Sequence, residues 1–384
     1  MFGRSFHLFT AFGFPIRIDV SWFVIAALVT WTLARQSFPA LVQTLSPEGA
    51  PGGVSPGGYW VMGLIGALLL FASVLLHELA HAVVARGFGI EMRGITLFIF
   101  GGVAEMNDEP PDAPSELQVA IAGPVASLLL AFTFGGLAWA AWSWELPTAV
   151  VVVSLYLALI NASLAIFNMV PAFPLDGGRV LRSVLWYLWH DLPRATRITA
   201  SLGSGLGLLL IVLGIVGVLS GNLFAIWWAL IGLFVRNAAQ MSYQQLLLRR
   251  VLEGERVGQF MHANPVTVPR HISVRELVEE YVYRHHFKMF PVVDDDRLLG
   301  CVTTHEIKNL AQDEWDRTSV GAITVDCSEE NTIAPDADAM GALATMSRAG
   351  LSRLMVVDHG RLVGILTLKD LLDFFSLKIE LEKR

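Results

Sequence analysis

The chain has 384 residues, of which 54% are hydrophobic and only 16% charged; soluble domains usually carry about 25% charged residues, so much of this chain is not built for water. A net charge of −7 with no basic stripe excludes a general nucleic-acid binder, because nothing stands ready to neutralise phosphates. Apolar runs dominate from about residue 60 to 235 and charged residues become frequent after 250, which calls for a membrane domain followed by a soluble one.

A membrane-spanning helix needs about 20 mostly apolar residues. Six segments qualify, at roughly 18–35, 60–85, 116–141, 149–172, 200–219 and 222–236. The first shows no small-residue cleavage site and reads as an uncleaved anchor. Arginines follow the even-numbered spans: Arg86 and Arg93, then Arg179, Arg182, Arg194 and Arg197, then Arg236, Arg249 and Arg250. Arg4 and Arg17 precede the first. The opposite loops, 36–59, 142–148 and 220–222, hold no Lys or Arg, with Arg35 the one exception at their boundary. Six spans with both termini cytosolic satisfy the positive-inside rule, whereas five do not.

The second span carries His77-Glu78-Leu79-Ala80-His81, an H-E-x-x-H motif. On a helix, positions i and i+4 share a face, so both imidazoles reach one metal ion and the glutamate lies close enough to take a proton from water. These are the ionisable side chains of an otherwise apolar segment, and such groups are costly inside a bilayer unless they serve a site. The competing reading is a polar cluster that only joins helices, a task Ser, Thr or Asn performs more cheaply.

Between the second and third spans, Gly94 to Met106 is β-branched and aromatic with a Gly101-Gly102 pair. It is too short to cross as a helix and reads as a membrane-associated hairpin; an ordinary interfacial turn is the bland alternative. The fourth span ends in Asn168-Met-Val-Pro-Ala-Phe-Pro-Leu-Asp176-Gly-Gly. Catalytic zinc usually takes three protein ligands. Spans one, three, five and six offer no carboxylate or imidazole within their apolar cores, since Asp19 and Glu116 sit at span ends. Asp176 follows two helix-breaking prolines on the same membrane side as His81, so it is the candidate third ligand.

The two motifs together resemble the site-2 protease family of intramembrane metalloproteases. That resemblance implies Zn2+ held by His77, His81 and Asp176, Glu78 as general base, and Asn168 positioning the substrate. It further implies that the Gly101-Gly102 hairpin holds a membrane protein substrate extended. Without the resemblance, Asn168 reads equally as a cap on a broken helix.

After Arg250 short β-rich runs alternate with helices. Asp294 and Asp358, Gly300 and Gly364, Thr303 and Thr367, and Glu306 and Asp370 all stand 64 residues apart, the mark of two units that pack on each other. The unit resembles the CBS domain, present as a pair. The resemblance implies ATP or AMP in the cleft, with Thr367 and Asp370 matching the family's Thr-x-x-Asp and Thr303 and Glu306 departing from it by one residue. A pair that only dimerises the protein is the competing role. Cys301 and Cys327 match no metal spacing and read as small buried hydrophobes.

The expected fold is thus a polytopic α-helical membrane domain of about six spans with a membrane-associated β-hairpin, plus a soluble α/β tandem CBS pair. The expected domains are 1–245, 246–312 and 313–384. The function expected is zinc-dependent endopeptidase action on membrane proteins at the cell membrane. A CBS-gated transporter or channel for a divalent metal is the alternative, although this chain shows no repeat in its membrane half.

Overall fold

The computed structural model describes residues 5–45, 54–90, 92–99, 101–106, 110–294 and 297–382; Arg4 lies outside them. Two compact units divide at Gln244 and Gln245, and each is taken by itself.

In hydrocarbon, each backbone N–H and C=O must bond within the protein, which selects helices for the apolar segments. Among the described residues six are long and apolar enough to cross a membrane: Val20–Leu45, Pro56–Gly87, Ala113–Ser143, Thr148–Asn168, Leu192–Leu219 and Leu223–Leu252. They are called spans one to six below. Several starts are capped by side chains that take up otherwise unpaired N–H groups. Ser55 accepts from Gly58, Asp112 forms a capping box with Ser115, and Asp191 accepts from Arg194. Phe132, Trp139 and Ile166 face outward and exposed, as suits side chains surrounded by lipid.

Several boundaries depart from the sequence reading. Span one begins at Val20 because Asp19 is its N-cap, and residues 14–19 form a strand instead. Span four stops at Asn168, since Pro171 and Pro174 cannot continue a helix. An additional helix, Asp176–Trp189, lies between spans four and five.

Four strands make a small sheet in this unit: β1 (Ser5–Ala11), β2 (Phe14–Asp19), β3 (Met92–Phe98) and β4 (Gly101–Met106), in that order. The pair β3–β4 is the hairpin expected from the sequence, closing at Phe98 opposite Gly101. The hairpin β1–β2 is not anticipated by the sequence pattern, and it joins through a parallel pairing of β2 with β3. Phe14, Ile16 and Ile95 pack on Leu79 and Ala82 of span two. The sheet therefore rests on the helix that carries the H-E-x-x-H motif.

The second unit is the repeat. Its first repeat opens with β5 (His262–Ala263) and β6 (Val268–Pro269), then forms a hairpin from β7 (Met289–Asp294) and β8 (Arg297–Thr303). After β9 (Val325–Asp326) and β10 (Thr332–Ile333), the second hairpin is β11 (Arg353–Asp358) with β12 (Arg361–Thr367). Registers match after a shift of 64: Pro291 faces Cys301, Met355 faces Ile365, and each hairpin bulges at the equivalent place. The two sheets run β6-β7-β8-β9 and β10-β11-β12-β5. The strand that opens the first repeat, β5, thus joins the second sheet, and β9 before the second repeat joins the first.

That exchange explains the equivalent glycines. Each sits where the crossing strand runs closest. A Cβ on Gly300 would stand 2.0 Å from the Val325 carbonyl oxygen, and one on Gly364 would stand 2.8 Å from Met261 Sδ. Cys301 is buried with Met289, Leu298 and Met355, and burial pushes its thiol up to about 11. Cys327 is exposed, a correction to the reading of both cysteines as buried: it follows β9 into a loop.

Gly300→Ala is expected to destabilise the second unit by about 1–3 kcal/mol or more through overpacking. Gly341→Ala, in a helix with open space around it, is expected to stabilise by about 0.5–1 kcal/mol. Differential scanning calorimetry of the two variants against the unaltered chain checks the contrast.

Candidate metal centre

His77 and His81 lie one turn apart on span two and are 3% and 5% exposed. Their Nε2 atoms stand 3.3 Å from each other. Asp176 opens the helix Asp176–Trp189, and its Oδ2 is 3.1 Å from His77 Nε2 and 3.2 Å from His81 Nε2. Three donor atoms therefore form a nearly equilateral triangle. Zinc bonded at about 2.0–2.2 Å in tetrahedral geometry needs donor spacings of about 3.3–3.6 Å, a few tenths of an ångström wider than two of those seen, so the residues present fit that ion in type and number and nearly in spacing. Among the described residues this is the one group of three or more His, Cys, Asp or Glu side chains close enough to share a metal.

The other edges of the imidazoles are also engaged. His81 Nδ1 lies 2.7 Å from the Val119 carbonyl oxygen, which only accepts. The proton must then sit on Nδ1, leaving the Nε2 lone pair free for a metal. His77 Nδ1 lies 2.9 Å from Ser127 Oγ.

Local backbone explains how Asp176 arrives. Residues 169–175 turn back after span four, and the glycines after Asp176 let the new helix pack on that turn. A Cβ on Gly177 would stand 2.3 Å from the Met169 carbonyl, and one on Gly178 would stand 2.5 Å from the Ala172 carbonyl carbon. Span five closes on the same turn through Gly203, where a Cβ would be 1.9 Å from the Phe173 oxygen.

A cavity of about 560 Å³ holds the triangle together with Glu78, Asn168 and Gly102. Its apolar wall comes from Ile25 of span one, Phe167 of span four and Trp227 and Phe234 of span six. Gly101 lines it too. All the membrane-half residues singled out in the sequence therefore meet in one place. Gly102 touches Glu78: a Cβ there would lie 2.6 Å from Glu78 Cγ. β4 is the last strand of its sheet, so among the described residues its outer edge carries backbone groups with no strand partner.

Sequence reading misses Ser127 and Gly123. A Cβ on Gly123 would stand 2.2 Å from His81 Nε2 and 2.6 Å from His77 Nε2. Their only sequence signal is that they share a helical face of span three, at a spacing of four.

In the second unit a cavity of about 930 Å³ is lined by His262, Phe287, Arg353, Thr367, Lys369 and Asp370, among others. Asp370 Oδ2 accepts from the Thr367 amide and hydroxyl at 2.9 and 2.7 Å, and Oδ1 meets His262 Nε2 at 2.9 Å. Thr303 and Glu306 do not line it. They cap the helix Thr304–Lys308, with Glu306 accepting from the Thr303 amide at 2.8 Å.

With this geometry established, likeness to known proteins is informative. The model for peptidase family M50 matches residues 65–152 and 141–213, and that for the CBS domain matches 257–313 and 322–377. Rip3 of Mycobacterium tuberculosis, by name a zinc metalloprotease, is 36% identical over 95% of this chain and 92% of its own. The Synechocystis protein sll0528, likewise a zinc metalloprotease by name, is 34% identical over 92% and 91%. A solved structure, the site-2 protease from Methanocaldococcus jannaschii, is 29% identical over 62% of this chain and 94% of that one, with a TM-score of 0.42. The six apolar helices, the family models and the relatives define a multi-pass membrane zinc metalloprotease of site-2 protease type that carries a CBS domain pair. The chain belongs to peptidase family M50.

Gly123→Ala is expected to push the imidazoles apart and weaken zinc binding by at least about 10-fold. Zinc content of the purified variant, measured by atomic emission, checks this.

Proposed function

We propose that this chain is an endopeptidase that hydrolyses peptide bonds of membrane-embedded or membrane-associated proteins, with its termini and CBS pair in the cytosol. The observation that carries the reading is the convergence of His77, His81 and Asp176 on one point beside Glu78, within a cavity of an apolar helix bundle. His77, His81 and Asp176 hold the zinc. Zinc when bound acidifies a water molecule and polarises a carbonyl.

The chain's own groups do the rest. Glu78 accepts a proton from the attacking water and returns one to the leaving amine. Its side chain is confined against Gly102, which keeps the carboxylate at the donor triangle. Asn168 offers an amide in the same cavity and serves to orient the substrate carbonyl. A peptide bond inside a helix is shielded by its own turn. The edge of β4 that has no strand partner among the described residues, with Gly101 and Gly102, offers an extended chain main-chain hydrogen bonds in the manner of strand addition. The apolar wall of the cavity suits substrate side chains drawn from the bilayer.

In the second unit, the proposed regulatory ligand is ATP or AMP, in the cavity that holds Thr367 and Asp370. Arg353 and Lys369 supply positive charge for phosphate and Asp370 a carboxylate for ribose. Thr303 and Glu306 are the weaker candidates, because they do not line this cavity. The proposed domain division is 1–245 for the protease and 246–312 and 313–384 for the repeats, with self-association through the CBS pair as a further role.

Glu78→Gln is expected to keep its zinc and lose about 10²–10⁴-fold in cleavage of a single-span substrate panel, whereas Asp176→Ala loses zinc and activity together. Normal cleavage by the Glu78→Gln variant removes the general-base role. Calorimetric titration with AMP and ATP is expected to show binding weakened roughly 10-fold or more by Asp370→Ala, with Thr303→Ala unaffected.

A further inference from the structure

Span three supplies none of the three donor atoms, yet it touches the machinery of each. Val119 holds His81 through its carbonyl, Ser127 holds His77 through its hydroxyl, and Gly123 between them leaves the space both rings occupy. The third connection is indirect. Glu116, fully buried, accepts from Arg182 Nε at 2.6 Å and pairs with a second nitrogen of the same guanidinium. Arg182 belongs to the helix that Asp176 opens, and it also lies over the Phe173 ring at 5.1 Å, within the turn before that helix. Arg179 of the same helix approaches Glu116 at 3.9 Å.

Glu116, Val119, Gly123 and Ser127 follow one another at spacings of three, four and four, and so fall on one face of a helix. All four are buried. Resting on the ligand assignment above, we propose that this face of span three is the positioning element of the metal centre. Ser127 and the Val119 carbonyl set the ring orientation of the two histidines, the carbonyl also keeps the His81 proton on Nδ1, and Glu116 acts through Arg182 to hold Asp176 in reach of them. A buried carboxylate and guanidinium in a lipid-surrounded bundle are strongly unfavourable unless paired. Their position at the base of the Asp176 helix gives the pair a purpose which simple helix adhesion would not need.

Orienting groups behind metal ligands typically change metal affinity by about 10- to 100-fold when removed. The test is zinc titration of the full-length chain against a chelator of known affinity, a readout independent of cleavage. Ser127→Ala is expected to bind zinc roughly 10- to 100-fold more weakly, with unchanged thermal unfolding of the metal-free protein. Ser127→Thr keeps the hydroxyl and is expected to stay near wild type, while Ser127→Val, of the same shape without it, falls with alanine. An alanine variant that holds zinc as tightly as wild type, or Thr and Val variants weakened alike, would overturn the role of Ser127.

For Glu116 the test is a cycle with Asp176→Asn. Glu116→Gln alone is expected to weaken zinc binding, and in the Asp176→Asn background to weaken it no further, because its effect runs through that ligand. Independent, additive losses would sink the coupling. Zinc affinity that survives His77→Ala would instead remove the ligand assignment, and the proposal with it.

Discussion

Two imidazole nitrogens and one carboxylate oxygen brought within 3.3 Å of one another impose the main constraint on the membrane unit. Polar groups at that depth cannot be left to water, so each must be satisfied by protein or by a bound ion. Much of the rest follows. Span two delivers two donors by helical periodicity alone. The third needs the chain to leave span four, turn, and start a new helix against the turn. Glycines at 177, 178 and 203 are what let those backbones approach so closely. The β-sheet then covers the same helix from another side and places Gly102 on Glu78.

Visibility of these parts in the sequence varies with the kind of signal each leaves. His77, Glu78 and His81 stand out because an ionisable side chain in an apolar run is conspicuous. Asp176 stands out because prolines and glycines mark a broken helix. Ser127 and Gly123 leave no such mark: small residues are ordinary in packed membrane helices, and only the folded arrangement shows that they face imidazoles. Glu116 is visible only as a span-end residue, since its partner is 66 residues away. The β1–β2 hairpin escapes notice because its apolar residues run directly into span one, where a strand and the approach to a helix look alike.

The soluble unit shows the same division. A shift of 64 residues is visible and carries over to strand registers and bulges. The exchange of β5 and β9 is not visible, because each is two residues long and too short for any periodicity. The Thr-x-x-acid motifs read alike in sequence but differ in setting. Thr367 and Asp370 open on a cavity that Thr303 and Glu306 do not share. Membership of a peptidase family leaves the metal-transporter alternative without a supporting observation.

The strand exchange has a consequence for how this protein can be divided. Neither repeat owns a whole sheet: cutting the chain after residue 312 would take β9 from β8, leaving a bare row of amide and carbonyl groups. Such an edge is a template for pairing with another chain. Gene fragments that end between the repeats are therefore poor building blocks, prone to self-associate rather than to stand as modules. The pair is the smallest unit that can be inherited, transplanted or lost intact.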